Sequence, residues 1–272
     1  MMKIPKKLRQ LHFRINKRLG QNFLREEEIL HEILSRASVQ PDDVVLEIGA
    51  GSGILTDPLT RSAGKVIALE IDPALYAYLA ERFKDRKNLN LLHQNILKYD
   101  MGDLPETGVK VIANLPYYIS TPILMHLLRS IRRFSLILVM LQKEVAERIA
   151  AGPGTKKYGS LSIAVQYYMA AEIVYAVPRT AFYPVPEVDS ALLRLTRHKE
   201  PPVAVSDPER FFCFVRAAFA RRRKTLRNSL LGAGSFSPEQ LDTAFAASGI
   251  DPRRRAETLS IKEFAKLSRC LH

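Results

Sequence analysis

Short, unbroken runs of β-branched and aliphatic residues alternate with helix-periodic segments along the first two thirds of the chain. This alternation constrains the fold more than any other feature. Val44-Val45-Leu46-Glu47-Ile48 reads as a buried strand, as do residues 66–71, 90–92, 109–113, 136–140, 172–175 and 191–195. Between them lie amphipathic stretches such as residues 73–83, with Leu75, Tyr78, Leu79 and Phe83 on one side and Pro73 suited to a first helical turn. A strand with one wet face would alternate apolar with polar residues. Continuous apolar strands separated by helices instead mean a mostly parallel sheet covered on both faces. The expected fold is therefore α/β and doubly wound, with ligands at the carboxyl ends of the strands.

The pattern changes near residue 198. His198-Lys199-Glu200-Pro201-Pro202 reads as a linker, and beyond it helices are expected to open at Asp207-Pro208, at Pro238 and after Ser260. Three segments follow: a basic arm over 1–24, an α/β domain over 25–198 and a small α-helical domain over 199–272. The arm contains no acidic residue and carries Lys3, Lys6, Lys7, Arg9, Arg14, Lys17 and Arg18. The whole chain has 41 Lys and Arg against 28 Asp and Glu, a net charge of +13 clustered at the two ends. Such a surplus points to a polyanionic partner, since neutralising phosphates releases counterions. The two cysteines, Cys213 and Cys270, match no metal-ligand spacing and suit a reducing compartment. Cys213, inside Phe211-Phe212-Cys213-Phe214-Val215, is expected to be buried. No run approaches the ~18–20 apolar residues of a membrane span. A cytoplasmic protein without a metal or a membrane partner is expected.

Glu47-Ile48-Gly49-Ala50-Gly51-Ser52-Gly53 follows the first strand and opens a helix. The glycines permit a tight turn and let backbone N–H groups approach a ligand. The dinucleotide fingerprint G-x-G-x-x-G fails, because its sixth position, counted from Gly49, is Ile54. G-x-G-x-G after an acidic residue is the spacing of an S-adenosylmethionine loop. Gly49 and Gly51 are thus candidate cofactor contacts. Glu70, at the end of the second strand, is placed to bind both hydroxyls of a ribose. Asp72, just before Pro73, reads as a helix cap. Asn95, after the third strand, is a candidate reader of the donor's adenine edge.

The fourth strand ends in Asn114-Leu115-Pro116-Tyr117. An amide, a rigid proline and an aromatic ring at the tip of a buried strand suit a flat group bearing an amine. The Asn114 oxygen and the Leu115 or Pro116 carbonyl accept its two N–H groups, favour a pyramidal nitrogen and free its lone pair for attack on a methyl group. Tyr117 stacks on the plane. Catalysis is then positioning and charge stabilisation, with no covalent intermediate. Extruding a base from its stack costs a few kcal/mol, so the target is expected to be unpaired.

With these motifs in register, the chain resembles the bacterial small-subunit ribosomal RNA adenine dimethyltransferase family, nearly end to end. The resemblance begins at Gly20-Gln21-Asn22-Phe23-Leu24, where the family's cofactor contacts fall on Asn22 and Leu24. It continues through Lys157-Tyr158-Gly159-Ser160-Leu161 and residues 182–190, which follow the pattern F-x-P-x-P-x-V-x-S. In the helical domain it includes Arg221-Arg222-Arg223-Lys224-Thr225-Leu226-Arg227-Asn228-Ser229-Leu230. It implies a class I S-adenosylmethionine-dependent methyltransferase with a Rossmann-like, seven-stranded, mostly parallel sheet. It implies dimethylation of two adjacent adenines in the 3′-terminal hairpin loop of small-subunit rRNA, within an immature 30S subunit, by a monomer. Phe182 would give the target base a second stacking face, and Arg221, Arg222, Arg223, Lys224 and Arg227 would contact the RNA backbone. The family usually has Asp where this chain has Asn95. An amide both donates and accepts, so binding should survive with its oxygen toward the adenine amine. A large-subunit rRNA adenine methyltransferase of the macrolide-resistance kind shares the N-x-P-Y and F-x-P-x-P motifs, but residues 221–230 favour the small-subunit enzyme. A non-catalytic RNA-binding assembly or transcription factor is the other alternative, and intact Glu70 and Asn114 argue against it.

Overall fold

The structure is a computed structural model and describes residues 20–271. The basic residues of the arm listed above lie outside the described residues. The strands are β1 (Phe23–Leu24), β2 (Val44–Ile48), β3 (Lys65–Glu70), β4 (Leu89–His93), β5 (Val109–Asn114), β6 (Phe134–Gln142), β7 (Met169–Val177), β8 (Phe182–Tyr183) and β9 (Ser190–Arg197). Seven of them form one sheet in the order β4-β3-β2-β5-β6-β9-β7. The pairs from β4 through to β6 are parallel, and β9 runs antiparallel to β6. Each apolar run picked out above lies on one of these strands, apart from Ile71, which just follows β3. The central ones are buried along almost their whole length, as the absence of alternation requires.

The chain steps outward from β2 to β3 and β4, then returns to the other side of β2 as β5. Between the carboxyl ends of β2 and β5 the connections therefore depart in opposite directions and leave a crevice. The early helices, α1 (Glu27–Ala37), α2 (Thr56–Ser62), α3 (Pro73–Arg82) and α4 (Ser120–Arg129), belong to this sheet unit. Helix α3 shows how the sequence sets an end. The Asp72 carboxylate accepts the amides of Ala74 and Leu75 at 2.9 and 3.1 Å, Pro73 occupies the first turn, and Leu75, Tyr78 and Leu79 turn into the core.

The chain divides into two compact units. One runs to Ala146 and resumes over Glu172–Arg197; the other takes Glu147–Ala171 and continues from His198. A single boundary at 198 was expected; here most of the stretch between β6 and β7, together with the first residues of β7, also groups with the second unit. The reason is apolar packing: Tyr158, Ile163 and Tyr167 share a core with Phe211, Phe214, Leu241 and Phe264. This second unit carries α6 (Ser160–Gln166), α7 (Pro208–Phe219), α8 (Leu226–Gly232), α9 (Pro238–Ser248) and α10 (Ile261–Arg269), while α5 (Lys143–Ala150) crosses the division. Helices α7, α9 and α10 start where Pro208, Pro238 and Ser260 mark them. Cys213 is exposed, contrary to expectation. On α7 the buried stripe is Phe211, Phe214, Val215 and Ala218, and Cys213 falls beside it, within 2.8 Å of an Arg216 nitrogen. No helix among the described residues is long and apolar enough to cross a membrane.

Candidate active site

One cleft at the β2/β5 crevice is lined by nine of the expected residues: Asn22, Leu24, Gly49, Gly51, Glu70, Asn114, Leu115, Pro116 and Tyr117. The loop after β2 holds Gly49, Gly51 and Gly53 at φ of 74°, 58° and 77°. Side chains rarely adopt that region, and at Gly53 a Cβ would also lie 2.7 Å from the Phe83 ring. The loop thus brings backbone to the cleft wall with no side chain in the way.

Glu70 is 4% exposed at the tip of β3. Its Oε2 accepts the Gly51 amide and its Oε1 the Asp72 amide, each at 2.8 Å. Each oxygen keeps a second lone pair, so the carboxylate is oriented by the backbone yet still able to take two hydroxyls. Burial pushes its pKa up, and the two amide bonds pull the other way. Glu47, on the adjacent strand β2, is buried beside it and also lines the cleft. Its Oε2 accepts the Thr56 hydroxyl at 2.7 Å, while Oε1 has no partner among the described residues. Burial raises this carboxyl to about 8, with the Glu70 charge adding to the shift, so Glu47 is neutral at pH 7.

The segment Gly20–Leu24 closes the cleft. Gln21 donates from Nε2 to Asp72 Oδ2 at 3.0 Å, and Phe23 and Leu24 pair antiparallel with Tyr183 and Phe182. Asn114 donates from Nδ2 to the Asn22 carbonyl at 3.0 Å. A carbonyl can only accept, so this contact fixes the amide and leaves Asn114 Oδ1 as the group on offer. Among the described residues nothing donates to that oxygen or to the Leu115 carbonyl, whereas the Pro116 carbonyl accepts the Ile119 amide at 3.3 Å. Of the two carbonyls considered, Leu115 is therefore the one with no other donor to share it. Tyr117 begins a 3₁₀ turn, Tyr117–Ile119, and its hydroxyl meets the buried Ser190 hydroxyl at 2.5 Å. Burial raises the phenol above its ordinary value, which keeps it protonated.

Two expected contacts do not line the cleft. Phe182 is 0% exposed and packs in the apolar core, while Tyr183, its neighbour on β8, is 43% exposed. Successive strand residues point to opposite faces, and Phe182 takes the inner one. Uncovering such a ring costs about 1.5–3 kcal/mol, as much as the roughly 1–3 kcal/mol gained by stacking a base. In this structure Phe182 therefore offers no face to the cleft. Asn95 caps a 3₁₀ turn instead of lining the cleft, and its Oδ1 accepts the Leu97 amide at 2.9 Å. The oxygen expected to read adenine thus already accepts one backbone amide. Gln21, Phe23, Glu47 and Ile71 line the cleft without having been singled out as contacts. Ile71 had a legible signal, because it directly follows the ribose-facing Glu70 and is exposed.

The basic run lies in the turn between α7 and α8 and is exposed from Arg221 to Lys224. Arg221 donates to the Gly232 carbonyl at 3.1 Å and Arg222 to the Lys156 carbonyl. Arg227 is held bidentately by Asp242 at 2.7 and 2.9 Å, so its charge is compensated locally. Arg223 and Lys224 have no side-chain partner among the described residues.

A doubly wound sheet with this loop, a carboxylate at the next strand end and a fixed acceptor amide defines a class I S-adenosylmethionine-dependent methyltransferase. The family model described as ribosomal RNA adenine dimethylase matches residues 12–272. The chain is 51% identical over 268 residues to the ribosomal RNA small subunit methyltransferase A of Geobacillus thermodenitrificans, covering 95% of this chain and 92% of that one. It is 46% identical over 259 residues to the protein of that name from Clostridium acetobutylicum, covering 94% of each. A dimethyladenosine transferase structure from Plasmodium falciparum superposes with a TM-score of 0.78 at 28% identity, over 90% of this chain and 95% of that one. The 23S rRNA methyltransferase ErmE gives 0.71 at 26% identity, over 92% and 99%. The chain belongs to the ribosomal RNA adenine dimethylase family.

Proposed function

We propose that the protein dimethylates the exocyclic amines of two adjacent adenines in the 3′-terminal hairpin loop of small-subunit rRNA. We further propose that it acts as a cytoplasmic monomer on an immature 30S subunit. The observation that carries the chemistry is the fixed Asn114 amide, whose Oδ1 stands ready beside the Leu115 carbonyl. The small-subunit assignment is supported by relatives near half identity along almost the whole chain. S-adenosylmethionine, when bound, supplies a methyl group on a positively charged sulfur. Gly49, Gly51 and Glu70 would hold it, together with Asn22 and Leu24, which line the same cleft. Asn114 Oδ1 and the Leu115 carbonyl take the two N–H groups of adenine and leave the nitrogen lone pair free. An uncharged Asn114 tolerates a monomethylated amine, which must return for a second transfer. The test is mass mapping of methylated nucleotides after small- and large-subunit rRNA are treated with the protein. Paired dimethyladenines near the small-subunit 3′ end are expected, and methylation confined to large-subunit rRNA overturns the assignment.

Two further outcomes follow from this reading. Ser190→Ala should lower kcat/KM about ten-fold while S-adenosylmethionine affinity stays within two-fold. Removing the hydroxyl partner of Tyr117 costs on the order of 1–3 kcal/mol and frees the ring that stacks on the base. Steady-state kinetics on rRNA would expose the error if the variant matched the parent. The RNA surface is assigned to the turn between α7 and α8, with Arg223 and Lys224 as its available charges. Changing both to alanine should weaken RNA binding and lower the slope of log K against log[salt] by about two. The same change at Arg227, whose charge Asp242 already balances, should move the slope much less. Equal slopes for all three proteins rule this surface out.

A further inference from the structure

Tyr118 is 53% exposed, although it directly follows the ring assigned to the target base. A single exposed ring is ordinary on a protein surface, so what matters here is how this one is held and where it lies. The ring is not loose on the surface, because it rests on Gly20. A Cβ at Gly20 would come within 3.0 Å of Tyr118 Cδ1 and 3.4 Å of Cε1, and Gly20 has φ of 59°. Gly20 itself lines the cleft. One side of the ring is thus backed by main chain at the cleft wall. Tyr117 and Tyr118 both lie in the 3₁₀ turn Tyr117–Ile119. Such a turn has 3.0 residues per revolution, so adjacent side chains diverge by about 120°. The two rings therefore cannot enclose one base between them; they serve two.

Accepting the adenine reading above, on which this inference rests, the target base must leave its stack. Its neighbour in the strand then loses a stacking partner on one face. We infer that Tyr118 replaces that partner: it is a stacking platform for the unpaired nucleobase next to the target adenine. Tyr183, the other exposed ring near the cleft, is less suited, because the Arg25 guanidinium lies over it at 5.6 Å. Tyr118 thereby favours strands in which an unpaired base adjoins the target, as two adjacent adenines do.

The test compares Tyr118→Ala and Tyr118→Trp with the parent on small-subunit rRNA. A second substrate is ligated so that the nucleotide adjoining the target is abasic. Stacking on one side chain corresponds to about a ten-fold effect. Tyr118→Ala should raise KM for intact rRNA about ten-fold, Tyr118→Trp should restore it, and S-adenosylmethionine affinity should hold within two-fold. The abasic substrate should cost the parent about ten-fold and Tyr118→Ala almost nothing. Penalties that add, or a Tyr118→Ala variant with the parental KM, overturn the inference. So does a loss that tracks weakened cofactor binding, since Tyr118 would then act only by bracing Gly20. If the parent itself leaves adenines of rRNA unmodified, the functional reading fails, and the inference falls with it.

Discussion

Asn114→Ala is expected to abolish methyl transfer while leaving RNA affinity nearly unchanged. In the folded protein the Asn22 carbonyl dictates which way the amide faces, because it can only accept the 3.0 Å hydrogen bond from Nδ2. The oxygen is thereby aimed without help from any ligand. Alanine removes an acceptor that binds the reacting nitrogen as positive charge develops on it. Loss of one preorganised group of this kind costs about 10²–10³ in rate. It also leaves the Asn22 carbonyl without its partner, a smaller penalty of about 1–3 kcal/mol. Asn114→Asp separates the two effects. It keeps an acceptor for the amine but sets a second oxygen against the Asn22 carbonyl, so cofactor affinity should fall along with turnover. Single-turnover methylation of rRNA, paired with RNA-binding and cofactor titrations, reads all three quantities. Turnover near the parental rate in Asn114→Ala would sink the proposed role.

The parts of this site that were legible in the sequence are those where residue type and chain position suffice. A glycine loop after the first strand, an acid ending the second and Asn114 ending the fourth meet in space because parallel strands bring their carboxyl ends to one edge. Phe182 was not legible in this way. β8 has only two residues, too few to show by alternation which side chain is inside. The turn-capping place of Asn95 was not legible for a different reason, since capping a turn and reading a base call for the same short polar side chain. Arg227 finds Asp242 on the next helix, 15 residues away, and a run of basic letters cannot show that pairing. Tyr158 and Tyr167 sit between strands in sequence, yet they share a core with helices some 50 to 100 residues downstream.

The largest effect on stability is expected at Glu47. Its acidic character was legible, but its protonation state depends on burial in the inner strand β2 and on the neighbouring Glu70 charge. In the folded state burial holds the carboxyl at about 8, against an ordinary value of 4.5. For an acid with a raised folded pKa, the unfolded chain ionises first. The stabilisation is complete below the ordinary value and is lost as pH rises through the folded one. Across that window stability falls by about 1.4 kcal/mol per pH unit, or on the order of 3–5 kcal/mol in all. Glu47→Gln keeps an oxygen to accept the Thr56 hydroxyl and has no proton to lose. Without cofactor, the variant and the parent should melt at similar temperatures near pH 5. By pH 8.5 the variant should lead by roughly 10 °C, at about 2–4 °C per kcal/mol for a unit of this size. Every other titrating group is common to both proteins, so the difference between their melting curves isolates this carboxyl. A gap that stays constant from pH 5 to 8.5 would mean that Glu47 is ionised in the folded protein. The cleft would then hold two adjacent carboxylates, with no hydrogen-bond partner on Glu47 Oε1 among the described residues to offset their repulsion.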